Sequence, residues 1–443
     1  MPISRARNAI RARQEGAVAV RAPGRLSVVD EIFLRTHRGL GTPIALQGLW
    51  RTTDRIEPDL LRRVHAALRT GPLGRRVVRP RIPGARRAWQ ANTDAHPLVL
   101  ADRPLPVAAL FEWADAQGAD LDPEFGPGWR LSATALDDGG SLVSLTCSHA
   151  LADGRALVLA IDDAMGGRSL AAGPDHARTE ALDPHAVGSE SDWVDARRQW
   201  STVLRGTAKA LRGGIPERPH PPTAREPVRT TGAPTHSAVL QCAVADWDRA
   251  AAAHHGTANS LFLALVANTL WATGFPNDTI DASLPVDTRD EPRVDNDLAM
   301  TDITVDRTDT PATIREKSRA AYEHRMSSPG GMPEELLQVI PDRWAYALSK
   351  GAGERDILCS NIGAMPATLR TLGPHRCLGV AARAIHPGLT AAHLPRTRLS
   401  GYLCRLADDY VLSLVSLDPD RVESGSALAT FARKTLELPV RVW

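Results

Sequence analysis

Between Gly206 and Pro234 the chain shows no sustained hydrophobic period, and this break constrains what the rest can become. The stretch is glycine-rich, then reads Pro216-Glu217-Arg218-Pro219-His220-Pro221-Pro222, then turns polar and basic. Closely spaced prolines lack amide protons and hold the backbone extended, so such a segment acts as a linker or crossover. It separates two halves of similar size, residues 26–205 and 235–443. A basic arm over residues 1–25 precedes them; it has several arginines and no apolar run, so no secretory leader is expected.

The halves share an order of elements. In the first, Leu60, Leu61, Val64 and Leu68 fall at helical spacing within Glu57–Thr70. Two strand-like runs, Trp129–Leu136 and Ser141–Ser148, flank Asp137-Asp138-Gly139-Gly140, a strong hairpin signal, and a helix follows over Arg155–Met165. In the second half, Ser260 is placed to cap a helix carrying Leu261, Phe262, Leu265, Val266 and Leu270. Strands are expected over Thr279–Leu284 and Leu298–Val305, then a helix from Thr310-Pro311. Tyr402–Leu406 and Tyr410–Leu417 flank Ala407-Asp408-Asp409 as a second hairpin, and Val422–Leu436 closes the chain as a helix. Two α/β sandwich-like halves facing each other satisfy this pattern.

Several function classes drop out. Lys+Arg number 53 against 51 Asp+Glu, so no excess of positive charge draws the chain to nucleic acid. Five dispersed cysteines without a Cys-x-x-Cys pair indicate reduced thiols and a cytoplasmic protein. The longest apolar stretch, around Ser260–Phe275, is shorter than the ~20 residues of a membrane span and contains Asn268 and Thr269, so a buried helix is expected. No Gly-x-Ser-x-Gly elbow, phosphate-binding glycine loop or metal-ligand spacing occurs. His254-His255 has no Asp-Gly after it and reads as the edge of a helix.

His149 stands at the end of the strand Ser141–Ser148, and Asp153 lies in the turn before the next helix. An imidazole with a pKa of ~6.5 suits proton removal from an amine or hydroxyl near neutral pH. Spacing alone better fits a surface histidine beside a helix-capping aspartate. Cys147 shares parity with His149, but two residues apart on one strand is poor geometry for a nucleophile and its base.

The run Ser148-His149-Ala150-Leu151-Ala152-Asp153-Gly154 resembles the His-His-x-x-x-Asp-Gly motif of the condensation-domain and chloramphenicol-acetyltransferase superfamily. Stand-alone members, the bacterial wax ester synthase/diacylglycerol acyltransferases and polyketide-associated acyltransferases, are the most similar in pattern. Leu26-Ser27-Val28-Val29-Asp30-Glu31-Ile32-Phe33-Leu34 resembles their opening Leu-Ser-x-x-Asp-x-x-Phe-Leu, and Thr257–Leu270 their long helix of the second half. Leu284-Pro285-Val286-Asp287-Thr288-Arg289 resembles a Pro-Val-x-x-Arg strand end, and Asp295-Asn296-Asp297 stands where a Gly-Asn segment usually lies. Ser360-Asn361-Ile362-Gly363 resembles the Ser-Asn strand motif.

The resemblance implies two chloramphenicol-acetyltransferase-like α/β lobes in a V-shaped pseudo-dimer. It implies His149 as the general base, Asp153 in a buried ion pair with Arg289, Gly154 at a close helix start, and Ser360 and Asn361 on a tunnel-lining strand. The implied reaction moves an acyl group from a thioester to an amine or hydroxyl acceptor, with the active site between the halves. The donor arrives in trans, on the phosphopantetheine of a carrier protein or as coenzyme A; no tightly bound cofactor is expected. Ser148 departs from the first motif histidine. That departure keeps open a rival role, a catalytically silent domain that recruits a carrier protein or partner enzyme.

Overall fold

The structure, a computed structural model, describes residues 24–166, 191–212, 234–323, 333–349 and 354–443. Its strands are β1 (Ala45–Thr52), β2 (Arg75–Val78), β3 (Ala88–Ala91), β4 (Val99–Leu105), β5 (Trp129–Leu136), β6 (Ser141–Ser148), β7 (His236–Ala243), β8 (Thr279–Asp287), β9 (Leu298–Asp306), β10 (Ile357–Ala364), β11 (Thr371–Leu372), β12 (His375–Ile385), β13 (Leu399–Leu406), β14 (Asp409–Ser416) and β15 (Arg441–Val442). Helices are α1 (Val28–His37), α2 (Pro58–Thr70), α3 (Leu110–Ala116), α4 (Gly154–Gly166), α5 (Asp192–Arg212), α6 (Val244–Ala253), α7 (Ala258–Ala272), α8 (Pro311–Glu323), α9 (Leu336–Val339), α10 (Asp342–Ser349) and α11 (Gly425–Leu436).

Both hairpins signalled in the sequence sit inside a sheet. In the first turn Gly139 takes a φ of +90°, a conformation a side chain would strain, and Asp138 accepts from the Gly140 amide at 3.0 Å. One sheet runs β11-β12-β1-β6-β5-β4 and the other β15-β7-β14-β13-β10-β8-β9. The two orders repeat one plan. β4–β5 and β10–β13 are parallel pairs, β5–β6 and β13–β14 antiparallel hairpins, and β6–β1 and β14–β7 antiparallel neighbours. A helix follows the hairpin in each case, α4 after β6 and α11 after β14.

Strand β6 alternates Val143, Leu145 and Cys147 with Leu142, Ser144 and Thr146, yet every residue of it is buried. The polar residues are satisfied internally: the Gln47 amide donates to Ser144 and Thr146 at 2.9 Å and to the Ala114 carbonyl of α3 at 2.7 Å. Helix α2 buries Leu61, Val64 and Leu68 in the same core, each contributing about 1.5–3 kcal/mol. Helix α7 is apolar on nearly every face because α8, α11, β10 and β13 surround it. Among the described residues no helix is long and apolar enough to cross a membrane.

Three boundaries differ from the sequence reading. Strands β11 and β12 follow the break yet join the first-half sheet, with Ala45 of β1 opposite Ile385 of β12, so the division at 206–234 does not follow the sheets. Helix α5 runs through Gly206 to Arg212, so the expected linker begins later; residues 213–233 lie outside the described residues. Most of the basic arm, residues 1–23, also lies outside them, but Arg25 is buried and ion-paired to Asp192 at 2.8 Å.

Candidate active site

The turn after β6 is built by its own backbone. The Leu151 amide donates to the Ser148 carbonyl at 3.0 Å, and the chain re-enters a helix at Gly154. Asp153 caps that helix: its Oδ1 accepts from the Ala156 amide at 2.8 Å, and its carbonyl accepts from Leu157 at 2.9 Å. Gly154 meets the second half directly. A Cβ there would stand 2.8 Å from Cδ1 of Ile362, which lies where β10 slips register against β13 between Asn361 and Gly363. The irregularity turns Ile362 onto the helix start, a usual service of a bulge.

The other oxygen of Asp153 faces the second half. Arg289 donates from Nη2 to Asp153 Oδ2 at 2.6 Å, and the Asp297 amide donates to the same oxygen at 2.9 Å. Both side chains are buried, at 5% and 6% exposure. The remaining guanidinium protons reach the Arg293 and Asp295 carbonyls and Asp287 Oδ1, at 3.1, 2.6 and 2.7 Å. A desolvated ion pair needs such full satisfaction to persist.

His149 sits between these anchors and α1. Its ring stacks on Phe33 with centroids 3.5 Å apart and planes 11° from parallel. Helix α1 begins with a capping box in which Ser27 and Asp30 exchange hydrogen bonds. The second Asp30 oxygen accepts from Asn296 Nδ2 at 2.9 Å, and that same nitrogen donates to the carbonyls of His149 at 2.9 Å and Ala150 at 3.2 Å. Burial lowers the imidazole pKa from 6.5 to about 4, with the Asp153 carboxylate a smaller opposing influence. The ring is therefore neutral and able to accept a proton at neutral pH. With its pKa lowered to about 4, the ring's own titration falls below the interval from pH 5 to 8.

Other candidates separate from this cluster. Ser148 is buried, and its hydroxyl accepts from the Ala150 amide at 3.4 Å, inside its own turn. Asn361 donates to Asn259 at 2.9 Å, beside a cleft of about 340 Å³ between α7 and α8, and Ser360 pairs with Tyr402 on β13. No hydrogen bond joins either to His149 among the described residues; from this strand Ile362 stands against Gly154, and the Ala364 carbonyl accepts from Arg155 at 2.9 Å. Burial pushes the Cys147 thiol up to about 12, unsuited to a nucleophile. His254 and His255 close α6. No cluster of metal-binding side chains occurs among the described residues.

Phe33, Asp30 and Asn296 were not among the site residues read from sequence. Helical spacing gives an aromatic such as Phe33 to a core, and a loop asparagine has no period to mark it. Only the motifs that contain Asp30 and Phe33, and the order of motifs around Asn296, carried a signal.

No protein-family model and no curated protein sequence matches the chain. Solved structures do. The first condensation domain of the CDA synthetase matches with a TM-score of 0.57 and 16% identity, over 96% of this chain and 99% of that one. The wax ester synthase/diacylglycerol acyltransferase of Marinobacter aquaeolei VT8 gives 0.55 and 15%, over 93% and 98%. Polyketide synthase associated protein 5 of Mycobacterium tuberculosis gives 0.53 and 14%, over 94% and 99%. At this identity the likeness carries the fold: two chloramphenicol-acetyltransferase-like α/β lobes, as in the condensation-domain superfamily.

Proposed function

We propose that the protein is an acyltransferase in which His149 removes a proton from an amine or hydroxyl acceptor as it attacks an acyl thioester. The observation that carries this reading is a neutral imidazole held from both halves, with Phe33 on its face and Asn296 on its carbonyl. The nucleophile's proton passes to His149, the tetrahedral adduct collapses, and the thiolate leaves with that proton as free thiol. The donor is a thioester of coenzyme A or of a carrier protein's phosphopantetheine, and the product an amide or ester of secondary metabolism. Asp153 and Arg289 hold the motif turn and take no part in proton transfer.

A silent recruitment domain is the second reading. The observation favouring it is the His149 Nδ1 atom, buried with no hydrogen-bond partner at normal geometry, beside a Ser148 that serves only its turn. Mass-spectrometric screening of acyl thioesters against amines and alcohols separates the two. A product that forms with the native chain and falls about 10²–10⁴-fold in a folded His149→Ala variant supports the transferase. Product formation indifferent to that substitution removes His149 from the mechanism, and binding without product favours recruitment.

A further inference from the structure

Helix α1 carries more than Phe33. About two turns, from Glu31 to the C-cap residue Arg38, present Glu31, Arg35 and Arg38 to a segment that follows the break by a hundred residues, α9 and α10. Asp342, at the start of α10, accepts from Arg35 Nε at 3.0 Å, from Arg38 Nη1 at 2.6 Å and from Arg87 Nη2 at 2.9 Å. Arg35 also donates to the Leu337 carbonyl, Arg87 to Glu31, and Arg38 to Glu124 at 2.5 Å. Gln338 reaches the Leu26 carbonyl, just before the α1 cap, at 3.1 Å.

Arg35 is almost fully buried, at 3% exposure, and Asp342 is three-quarters buried, so these pairs are shielded from much of the screening that weakens surface ion pairs. Burial alone would raise the Asp342 carboxyl's pKa; Arg87, Arg35 and Arg38 outweigh it and leave it lowered. Phe33 lies two residues from Arg35 on the same helix. A helix is stiff over such a distance, so what fixes the guanidinium groups also fixes the ring.

We infer that Asp342 is a positioning residue for His149: by gathering Arg35, Arg38 and Arg87 it seats α1, and α1 presents Phe33 to the imidazole. The coupling runs from α10 through three arginines to the aromatic face. Asp342 touches neither His149 nor the motif turn. The inference rests on the proposed function only in taking His149 as the working group.

The test titrates the His149 ring by NMR in protein labelled on histidine carbon, the signal being the one missing from His149→Gln. In Asp342→Ala, His149 should titrate at a higher pH, closer to 6.5, because a loosened Phe33 admits water. The charged groups nearest the ring, Asp153 and, across Asn296, Asp30, are unchanged by the substitution. Turnover should fall roughly 10-fold, as expected when a support lets a reacting group move by part of an ångström, with KM within about two-fold. Asp342→Glu should recover most of both, and the isosteric Asp342→Asn serves if the alanine variant does not fold. A melting temperature that falls while the His149 titration stays put would show a purely structural clasp and overturn the inference. The NMR arm needs no turnover, so a chain without activity defeats the acyltransferase reading and still decides this one.

Discussion

Asn296 donates its side-chain amide to the main-chain carbonyl of His149 at 2.9 Å, so a loop of the second half holds the backbone of the candidate base in the first. The same nitrogen faces Asp30 Oδ1 and the Ala150 carbonyl, three acceptors around one donor group.

Asn296→Asp replaces that donor by a carboxylate among three oxygens. We expect a loss of more than about 3 kcal/mol, beyond the roughly 1–3 kcal/mol of an unsatisfied buried group left by Asn296→Ala. Urea unfolding of the two variants measures the order; an aspartate variant as stable as the native chain would remove Asn296 from this role.

Arg289→Met strands the Asp153 carboxylate in a buried site and should cost about 3–5 kcal/mol. Asp153→Asn alone removes the buried partner of Arg289 and leaves it Asp287, while keeping an oxygen to cap α4. The double variant should cost clearly less than the two singles summed, a coupling of about 0.5–3 kcal/mol in an unfolding cycle. Additive losses would mean the pair does not exist in solution.

The folded chain holds His149 neutral down to about pH 4, whereas the unfolded chain protonates it near 6.5. Stability from this group is therefore complete above about pH 6.5 and is lost as pH falls toward 4. His149→Gln should flatten that part of the stability profile relative to the native chain, while an unchanged slope would contradict the shift. The rate of acyl transfer, where chemistry limits it, should be level from pH 6 to 8 and fall only below about 5.

Gly154→Ala brings a Cβ to within 2.8 Å of Ile362 Cδ1. We expect a cost of about 1–3 kcal/mol from the forced shift, largely relieved in an Ile362→Val background that lacks that carbon. Thermal melts of the four chains decide it, and independence of the two sites would place Ile362 elsewhere.

The hairpins and the motif turn were legible because their chemistry is local: Asp138 and Gly139 specify a turn, and Asp153 a helix cap. The partner of Asp153 was legible only through the order of motifs, since nothing near Arg289 in sequence names a residue so distant. The alternation of β12 suits either sheet, and its place beside β1 is decided by packing far along the chain. Helix α5 passes through Gly206 because an isolated glycine costs a helix only about 1 kcal/mol, which the helical residues on either side can offset.

Strand β12 has a consequence for how the chain is made. Until Ile385 emerges, β1 is an open edge whose amides and carbonyls on one side have no partner, the situation in which nascent strands associate wrongly. At about 5–20 residues per second, the roughly 340 residues between Ala45 and Ile385 take roughly 20–70 s to synthesise. For that interval the first sheet is a waiting template. A gene split at the proline-rich break would prolong the wait indefinitely, and its two products should be recovered together or as aggregate.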